Sequence, residues 1–288
     1  MTQFNELDLE SVRVSSFQER IEKLNHMIAD ARRIVFFTGA GISTGSGIPD
    51  FRSANGLYNQ TNIRNPEYYL SAECLESEPE LFFEYIQKNM DFRKATPNIA
   101  HEKISLLQLT RTVSVITQNI DGLHENANSY AVSAIHGTMN RAYCVDCLAE
   151  YDSNYIFDDD GVPLCTECQG IVRPDIVLYG EGLHSTEWDI ALQWTRNADL
   201  FIVVGSSLQV APANMLPHYF GRDDKLVIIN REPTTLDFNA ELVFHEDIQE
   251  VFKHIRIPFA VQKAADDKII KDEKAYNKII ETALDSYS

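Results

Sequence analysis

Four cysteines fall in two C-x-x-C pairs, Cys144 with Cys147 and Cys165 with Cys168, and 17 residues separate the pairs. A C-x-x-C turn presents two thiolates on one side, and a second turn at this distance closes a tetrahedral cage around one zinc ion. With thiolate at all four positions no coordination site stays open to water, so the ion is expected to be structural. Disulfides or redox dithiols are the competing reading, which a cytoplasmic compartment disfavours. The fifth cysteine, Cys74, stands alone and reads as an inert thiol.

A second chemistry-bearing stretch is TGAGISTGSGIPDFRS, residues 38–53. Gly39-Ala40-Gly41 supplies the first two glycines of G-x-G-x-x-G, but Thr44 occupies the third position. Backbone amides at Gly39 and Gly41 are expected to approach a pyrophosphate. A plain flexible turn does not explain the Pro49-Asp50-Phe51-Arg52 run that follows, in which proline stiffens the chain and holds Phe51 and Arg52 near the phosphates. The carboxylate that a hydride-transfer dehydrogenase places on the ribose is not found at the end of a second strand. In TQNIDGLH, residues 117–124, Asn119 and Asp121 can grip a carboxamide or a ribose, or cap the next helix. His136, in AIHG, is either a structural histidine or a strand-end base near neutral pH.

Groups this far apart in sequence must be brought together by regular elements. Phe17, Ile21, Leu24, Ile28 and Ala31 recur at helical spacing over 16–32, with Ser16 placed as cap and Glu19 closing a capping box. IVFF at 34–37, VSVIT at 113–117, LFIVV at 200–204 and LVII at 226–229 are uninterrupted apolar runs, each ending in a polar or glycine turn. Such runs are strands of a parallel sheet covered on both faces. A helical stretch over 98–109, capped by Asn98, lies between two of them. The alternation predicts an α/β domain with ligands bound beyond the carboxyl ends of the strands. Two segments interrupt the pattern: an aromatic, helix-forming one at 56–97 and the cysteine segment at 141–170. They read as a smaller second domain beside a large domain made of 21–55, 98–140 and 171–260. Residues 1–20 form an N-terminal extension and 261–288 a tail expected to be an exposed helix.

The chain has 288 residues and a net charge of −18, from 25 basic and 43 acidic side chains. That charge argues against general nucleic-acid binding, including by a zinc ribbon, because the phosphate backbone requires cations. No apolar run of membrane-spanning length and no basic-then-apolar leader is present in the sequence. A cytoplasmic monomer with no membrane association is expected, and its charge permits cationic, lysine-bearing partners.

Taken together the motifs resemble the sirtuin family of NAD-dependent protein deacylases, with wording most like its bacterial members. The resemblance rests on GAGISTGSGIPDFR at 39–52, TQNIDGLH at 117–124, His136-Gly137, the four cysteines, IVLYGE at 176–181, GSSLQVAPA at 205–213 and IIN at 228–230, in the family's order over residues 20–255. It implies a Rossmann-like parallel sheet with a smaller zinc-binding plus helical domain, and an active cleft between them. It further implies NAD as co-substrate, one structural zinc and acyl-lysine protein substrates. Gly39, Ala40, Gly41 and Thr44 would line the phosphate region, with Phe51 and Arg52 in the cofactor loop. Gln118 and Asn119 would meet ribose, and Ile120 with Asp121 the nicotinamide carboxamide. Gly205, Ser206, Ser207 and Asn230 would hold the adenosine half, completed by Arg231, Asp247 and Ile248. Val177 would offer backbone hydrogen bonds to the acyl-lysine, followed by Leu178, Tyr179, Gly180 and Glu181 along the substrate segment. His136 would be the general base and Asn119 the second catalytic residue. Family members usually carry Phe where Tyr179 stands. Members that remove succinyl groups carry a Tyr-x-x-Arg pair in the helical insertion. Counted back from Pro97-Asn98 the corresponding positions are Phe83 and Ile86, so a neutral acyl group, acetyl first, is expected. Mono-ADP-ribosyl transfer to protein and a non-catalytic NAD-sensing module are the competing readings.

Overall fold

The computed structural model describes residues 15–50, 67–158 and 160–266. Its centre is a six-stranded, all-parallel sheet. Five of its strands are β1 (Arg33–Thr38), β2 (Thr112–Thr117), β3 (Val132–Ala134), β7 (Leu200–Val204) and β8 (Leu226–Ile229). With β9 (Leu242–Phe244) they stand in the order β3-β2-β1-β7-β8-β9. The apolar runs are continuous because both faces are covered. Ile34 and Phe36 of β1 point to one face, where they pack with residues of α1 (Phe17–Asp30), α4 (Ile99–Gln108) and α9 (Ile248–Lys253). Val35 and Phe37 point to the other, against α7 (Ser185–Asn197) and α8 (Leu216–Phe220). Each fully buried phenylalanine here contributes about 1.5–3 kcal/mol of transfer free energy. Helix α1 starts where the sequence places it: Ser16 Oγ accepts from Glu19 N, and Glu19 Oε2 accepts from Ser16 N at 2.8 Å.

A second sheet is antiparallel, with β4 (Gly137–Cys144) between β5 (Glu150–Asp152) and β6 (Val172–Ile176). It begins at Gly137 and ends at Ile176, wider than the 141–170 span read from the cysteines. The difference has a simple cause: Cys144 is the last residue of β4, so the strand that presents it lies before the first cysteine. Helices α2 (Ala72–Ser77) and α3 (Pro79–Asn89) pack on this sheet, and Phe82, Phe83 and Ile86 share one core with Met139, Val172 and Ile176. The aromatic insertion and the cysteine segment therefore share a single hydrophobic cluster. It also includes the short helices' neighbour α6 (Asn154–Phe157), through Ile156. At the C-terminal end, α10 (Phe259–Asp266) starts two residues before the expected tail, and Val261 in its first turn is buried, so the described part of the tail is not wholly exposed.

Helix α4 is tied to the glycine turn after β1. Asn98 caps the helix, and its Nδ2 donates to Ile42 O at 2.8 Å and Ser46 Oγ at 2.9 Å. His101 closes the cap by accepting from Asn98 N, and its ring lies edge-to-face with His124, centroids 4.8 Å apart. His124 begins the short helix α5 (Leu123–Asn126) together with Leu123 and bonds Thr38 Oγ1 through Nε2 at 3.0 Å. His101 Nε2 and His124 Nδ1 are buried with no hydrogen-bond partner among the described residues. Burial lowers His101 to about 4 and, with His101 beside it, holds His124 well below its ordinary range. In the unfolded chain both titrate near 6.5. Below that pH the unfolded state takes up protons that the fold refuses, so stability present above about 6.5 is lost as pH falls towards about 4. Between pH 7.5 and 5.0, His101→Asn should lose about 2 kcal/mol less unfolding free energy than the parent in urea titrations. Equal losses in the two proteins would refute this origin of acid lability.

Candidate active site

The carboxyl ends of β1, β2, β7 and β8 converge on one edge of the sheet, as their register requires. Strand β1 runs into a 3₁₀ turn, Ala40–Ser46, instead of the α-helix that follows a dehydrogenase fingerprint. Gly39 N donates to Val204 O at 3.0 Å and Gly41 N to Gly205 O at 2.9 Å. A Cβ at Gly41 would stand 2.7 Å from Gly205 Cα, and one at Gly39 2.8 Å from Gly205 O. Gly205 itself has φ +64°, and its Cβ would lie 2.4 Å from Ile42 N. These glycines are thus required because the turns after β1 and β7 touch backbone to backbone. The expectation that the Gly39 and Gly41 amides meet a pyrophosphate is corrected, since both already serve neighbouring carbonyls. Ala40 lines the cleft beside this contact, and Thr44 lies exposed, its hydroxyl donating to Gly41 O at 2.9 Å. Phe51 and Arg52 lie outside the described residues.

A cleft of about 300 Å³, including its open mouth, is lined by Ala40, Ser43, Ile48, Pro49, Phe92, Asn119, Ile120 and Asp121. Its floor is polar and buried. Ser43 Oγ donates to Asp121 Oδ2 at 2.6 Å, Asn119 Nδ2 donates to Ser43 Oγ at 3.0 Å and to Gly39 O at 3.2 Å, and Leu123 N donates to Asp121 Oδ1 at 2.9 Å. The last bond ties Asp121 to the first residue of α5, whose N-cap is Gly122, while its carboxyl also faces the cleft. Burial raises the Asp121 carboxyl, only partly offset by these hydrogen bonds. A buried carboxylate held by neutral donors is suited to accept from a carboxamide NH₂, so the site fits the nicotinamide end of NAD. Gln118 bridges this region to the β7 turn, donating through Nε2 to Ser206 Oγ at 2.8 Å.

His136 stands between β3 and β4, half-buried, with Nδ1 at 2.9 Å from Gln118 O. A carbonyl only accepts, so Nδ1 carries the hydrogen and Nε2 keeps its lone pair. Burial lowers His136 below its ordinary range despite that bond, which leaves the ring neutral at pH 7. The histidine also anchors the segment after β6: Val177 N donates to His136 O at 2.9 Å. Leu178 is buried, Tyr179 and Gly180 are exposed, and the Tyr179 backbone exchanges two hydrogen bonds with Leu70 and Ala72. Glu181 turns back to bond Arg173. The Tyr69 and Tyr85 rings pack 5.2 Å apart, and Tyr85, raised first by burial and then by the neighbouring Tyr179 and Tyr69, lies within electrostatic reach of Tyr179.

The turns after β7 and β8 complete the edge. Ser206 is buried beneath Gln118, Ser207 is half-buried, and Asn230 donates to Glu232 O at 2.7 Å. Arg231 pairs with Asp247 at 3.1 Å, and Asp247 caps α9 through Gln249 N and Glu250 N. Ile248 is buried in the core below that cap, so its side chain supports the edge from beneath.

The four cysteine sulfurs lie within 4.8 Å of one another. Cys144 and Cys168 are 3.4 Å apart and Cys147 and Cys165 3.5 Å, both far longer than a disulfide. A tetrahedral zinc with bonds of about 2.3 Å sets sulfurs about 3.8 Å apart, so the donor set fits one ion. Asp146 N, Glu167 N and Gly170 N each donate to a cysteine sulfur at 3.4 Å, and Tyr151 Oη donates to Cys165 Sγ at 3.1 Å. Such bonds stabilise thiolates. Sequence reasoning missed Ser43 and Phe92 in the cleft and Arg173 behind the Val177 segment. Ser43 was legible in principle as a hydroxyl within the turn; Phe92 and Arg173 act only through tertiary contacts.

The Sir2 family model matches residues 39–212. An NAD-dependent protein deacetylase of Staphylococcus epidermidis is 43% identical over 238 residues, covering 82% of this chain and 96% of the relative. One from Clostridium perfringens is 44% identical over 236 residues, covering 81% and 97%. Among solved structures, a histidine-to-alanine Sir2 variant with deacetylated p53 peptide and 3′-O-acetyl ADP ribose superposes with a TM-score of 0.75 at 35% identity, covering 82% of this chain and 96% of that one. A Sir2 with p53 peptide and NAD+ gives 0.71 at 34% identity, covering 87% and 99%.

Proposed function

This chain belongs to the Sir2 family, and from that premise we propose that it is an NAD-dependent protein-lysine deacetylase. The observation that carries the reading is a neutral, lone-pair-bearing His136 tied on one side to Gln118, the residue before the cleft-lining Asn119, and on the other to Val177. NAD, when bound, supplies an electrophilic anomeric carbon and nicotinamide as leaving group, so the acyl group ends on ADP-ribose. Asp121 and the Ile120 backbone hold the carboxamide, with Ser43 and Asn119 fixing the carboxylate. Asn119 and Gln118 orient the ribose, and Ser206, Ser207, Asn230 and Arg231 hold the adenosine half. The Val177 carbonyl receives the acyl-lysine N–H, and Tyr179 walls the acyl channel. His136 Nε2 removes a proton from a ribose hydroxyl, the step for which its neutral form and fixed tautomer suit it.

In the same reading the parallel sheet is the NAD-binding domain and the antiparallel sheet with α2 and α3 the small domain. One zinc at the four cysteines holds the two knuckles and takes no part in chemistry. Among the described residues no helix is long and apolar enough to cross a membrane, and we place the protein in the cytoplasm as a monomer.

Incubation with NAD and an acetyl-lysine peptide should release nicotinamide and shorten the peptide by one acetyl mass. ADP-ribose left on protein with the peptide unchanged would instead identify a transferase, and no NAD turnover a sensing module. Phe83 and Ile86 are both fully buried in the small core, so neither offers a cation to a distal carboxylate. Acetyl-lysine peptide should therefore exceed succinyl-lysine peptide in kcat/KM by at least about tenfold, the scale of one charge-assisted hydrogen bond. A preference for succinyl-lysine would overturn this part of the reading.

A further inference from the structure

Behind the segment Val177–Glu181 lies a charged pair that neither touches the cleft nor lines it. Arg173 is a β6 residue only 5% exposed. Its Nη1 and Nη2 donate to Glu181 Oε1 at 2.5 Å and Oε2 at 3.1 Å, and Nη2 also donates to Ile176 O at 2.6 Å. Glu181 Oε2 in turn accepts from Leu178 N at 2.8 Å. Burial alone would raise the Glu181 carboxyl, but the bonds from Arg173 and Leu178 outweigh it and leave it below the usual carboxylate range.

Most other backbone groups from Val177 to Tyr179 are bonded as well. Val177 N donates to His136 O, Tyr179 N to Leu70 O and Glu181 N to Leu178 O, while Tyr179 O accepts from Ala72 N. Between Val177 and Tyr179 the one backbone group without a partner among the described residues is the Val177 carbonyl. With every other backbone group from Val177 to Tyr179 bonded, that acceptor is held in a fixed direction. Arg173 fixes the start of that segment at Ile176 O and its end at Glu181, and Glu181 fixes Leu178, the residue directly after the free carbonyl.

We infer that Arg173, acting through Glu181, is a positioning residue that aims the Val177 carbonyl at the amide N–H of the acyl-lysine. The inference rests on the deacetylase reading above. It also changes the part assigned to Glu181: its carboxylate is turned inward and braces the segment, instead of meeting the substrate directly.

The test separates positioning from folding. Arg173 is buried and Glu181 partly exposed, so removing Glu181 alone strands a buried guanidinium and destabilises the protein, whereas replacing both by apolar residues of similar volume is much less costly. The double variant Arg173→Met with Glu181→Leu should therefore stay folded, its thermal midpoint lowered only by the hydrogen bonds to Leu178 N–H and Ile176 O that go with the pair. It leaves Leu178 N–H without its acceptor. Its kcat/KM for an acetyl-lysine peptide should fall by roughly 10- to 100-fold, the cost of misplacing a reacting group by about 1 Å. Its KM for NAD should stay at the parent's value, and the Kd of the peptide measured by fluorescence anisotropy should rise. Glu181→Gln, which keeps an oxygen for Leu178 N–H, should retain more of the peptide kcat/KM than Glu181→Leu. Parent-like peptide binding and turnover in a folded double variant would overturn the inference and leave the deacetylase reading intact. So would equal rises in KM for peptide and for NAD. A parent that does not deacylate any lysine peptide with NAD removes the functional reading, and the inference with it.

Discussion

His136→Ala is expected to lose peptide deacetylation by about 10²- to 10⁴-fold, the usual contribution of a positioned general base. The substitution removes Nε2, whose lone pair is available because Nδ1–H is bound to Gln118 O. The backbone contact from Val177 N to His136 O does not depend on the side chain, so the substrate segment should stay in place. The loss should therefore fall on kcat, with KM for NAD and the melting temperature close to the parent's. The parent's pH profile carries the same signature. A base works only when unprotonated, so kcat/KM should fall on the acid side in a one-proton step. Burial lowers His136, which places that step below 6.5, the ordinary value for histidine. A folded His136→Ala that deacetylates as fast as the parent would exclude the histidine as base.

Zinc removal should produce the other large effect. Four thiolates within 4.8 Å repel one another once the ion is gone, and structural zinc binding in small fingers is worth about 10–16 kcal/mol at pH 7. Cys144 is buried within the small domain's core, so strain at the knuckles reaches Met139 and Val172 directly. Cys144→Ser should lose bound zinc, and its melting temperature should fall by on the order of 10 °C or more. Activity should drop because the strands that carry His136 and Val177 at their ends belong to the same sheet. Full activity and an unchanged melting temperature in a zinc-free sample would refute a structural role for the metal.

The large sheet was legible because its physics is local. Runs such as Ile34–Phe37 and Leu200–Val204 are apolar at every position, and the strands occupy them to within a residue. The capping box at Ser16 and Glu19 and the cap at Asn98 were readable for the same reason, since each closes within four residues. The cysteine cage followed from spacing alone. What the sequence could not disclose were contacts between turns. Gly39 and Gly41 look like a phosphate cradle until Gly205 is seen pressed against them. The bond from Arg173 to Glu181 is another such contact. In both cases the residue type is right for a site, and the deciding neighbour is more than five positions away.

The core that joins the aromatic helices to the cysteine sheet has a consequence for how the protein can be taken apart. Its two main parts, 67–92 and 137–178, are separated in the chain by helix α4 and by strands β2 and β3 of the large sheet. No contiguous fragment therefore contains the small domain alone. A peptide spanning only the knuckles would present Met139, Ile156, Val172 and Ile176 to water, because the phenylalanines that cover them arrive from the other half. The unit can be excised only by rejoining the chain in a new order, and during folding its two halves meet only across the long loop that the parallel strands close.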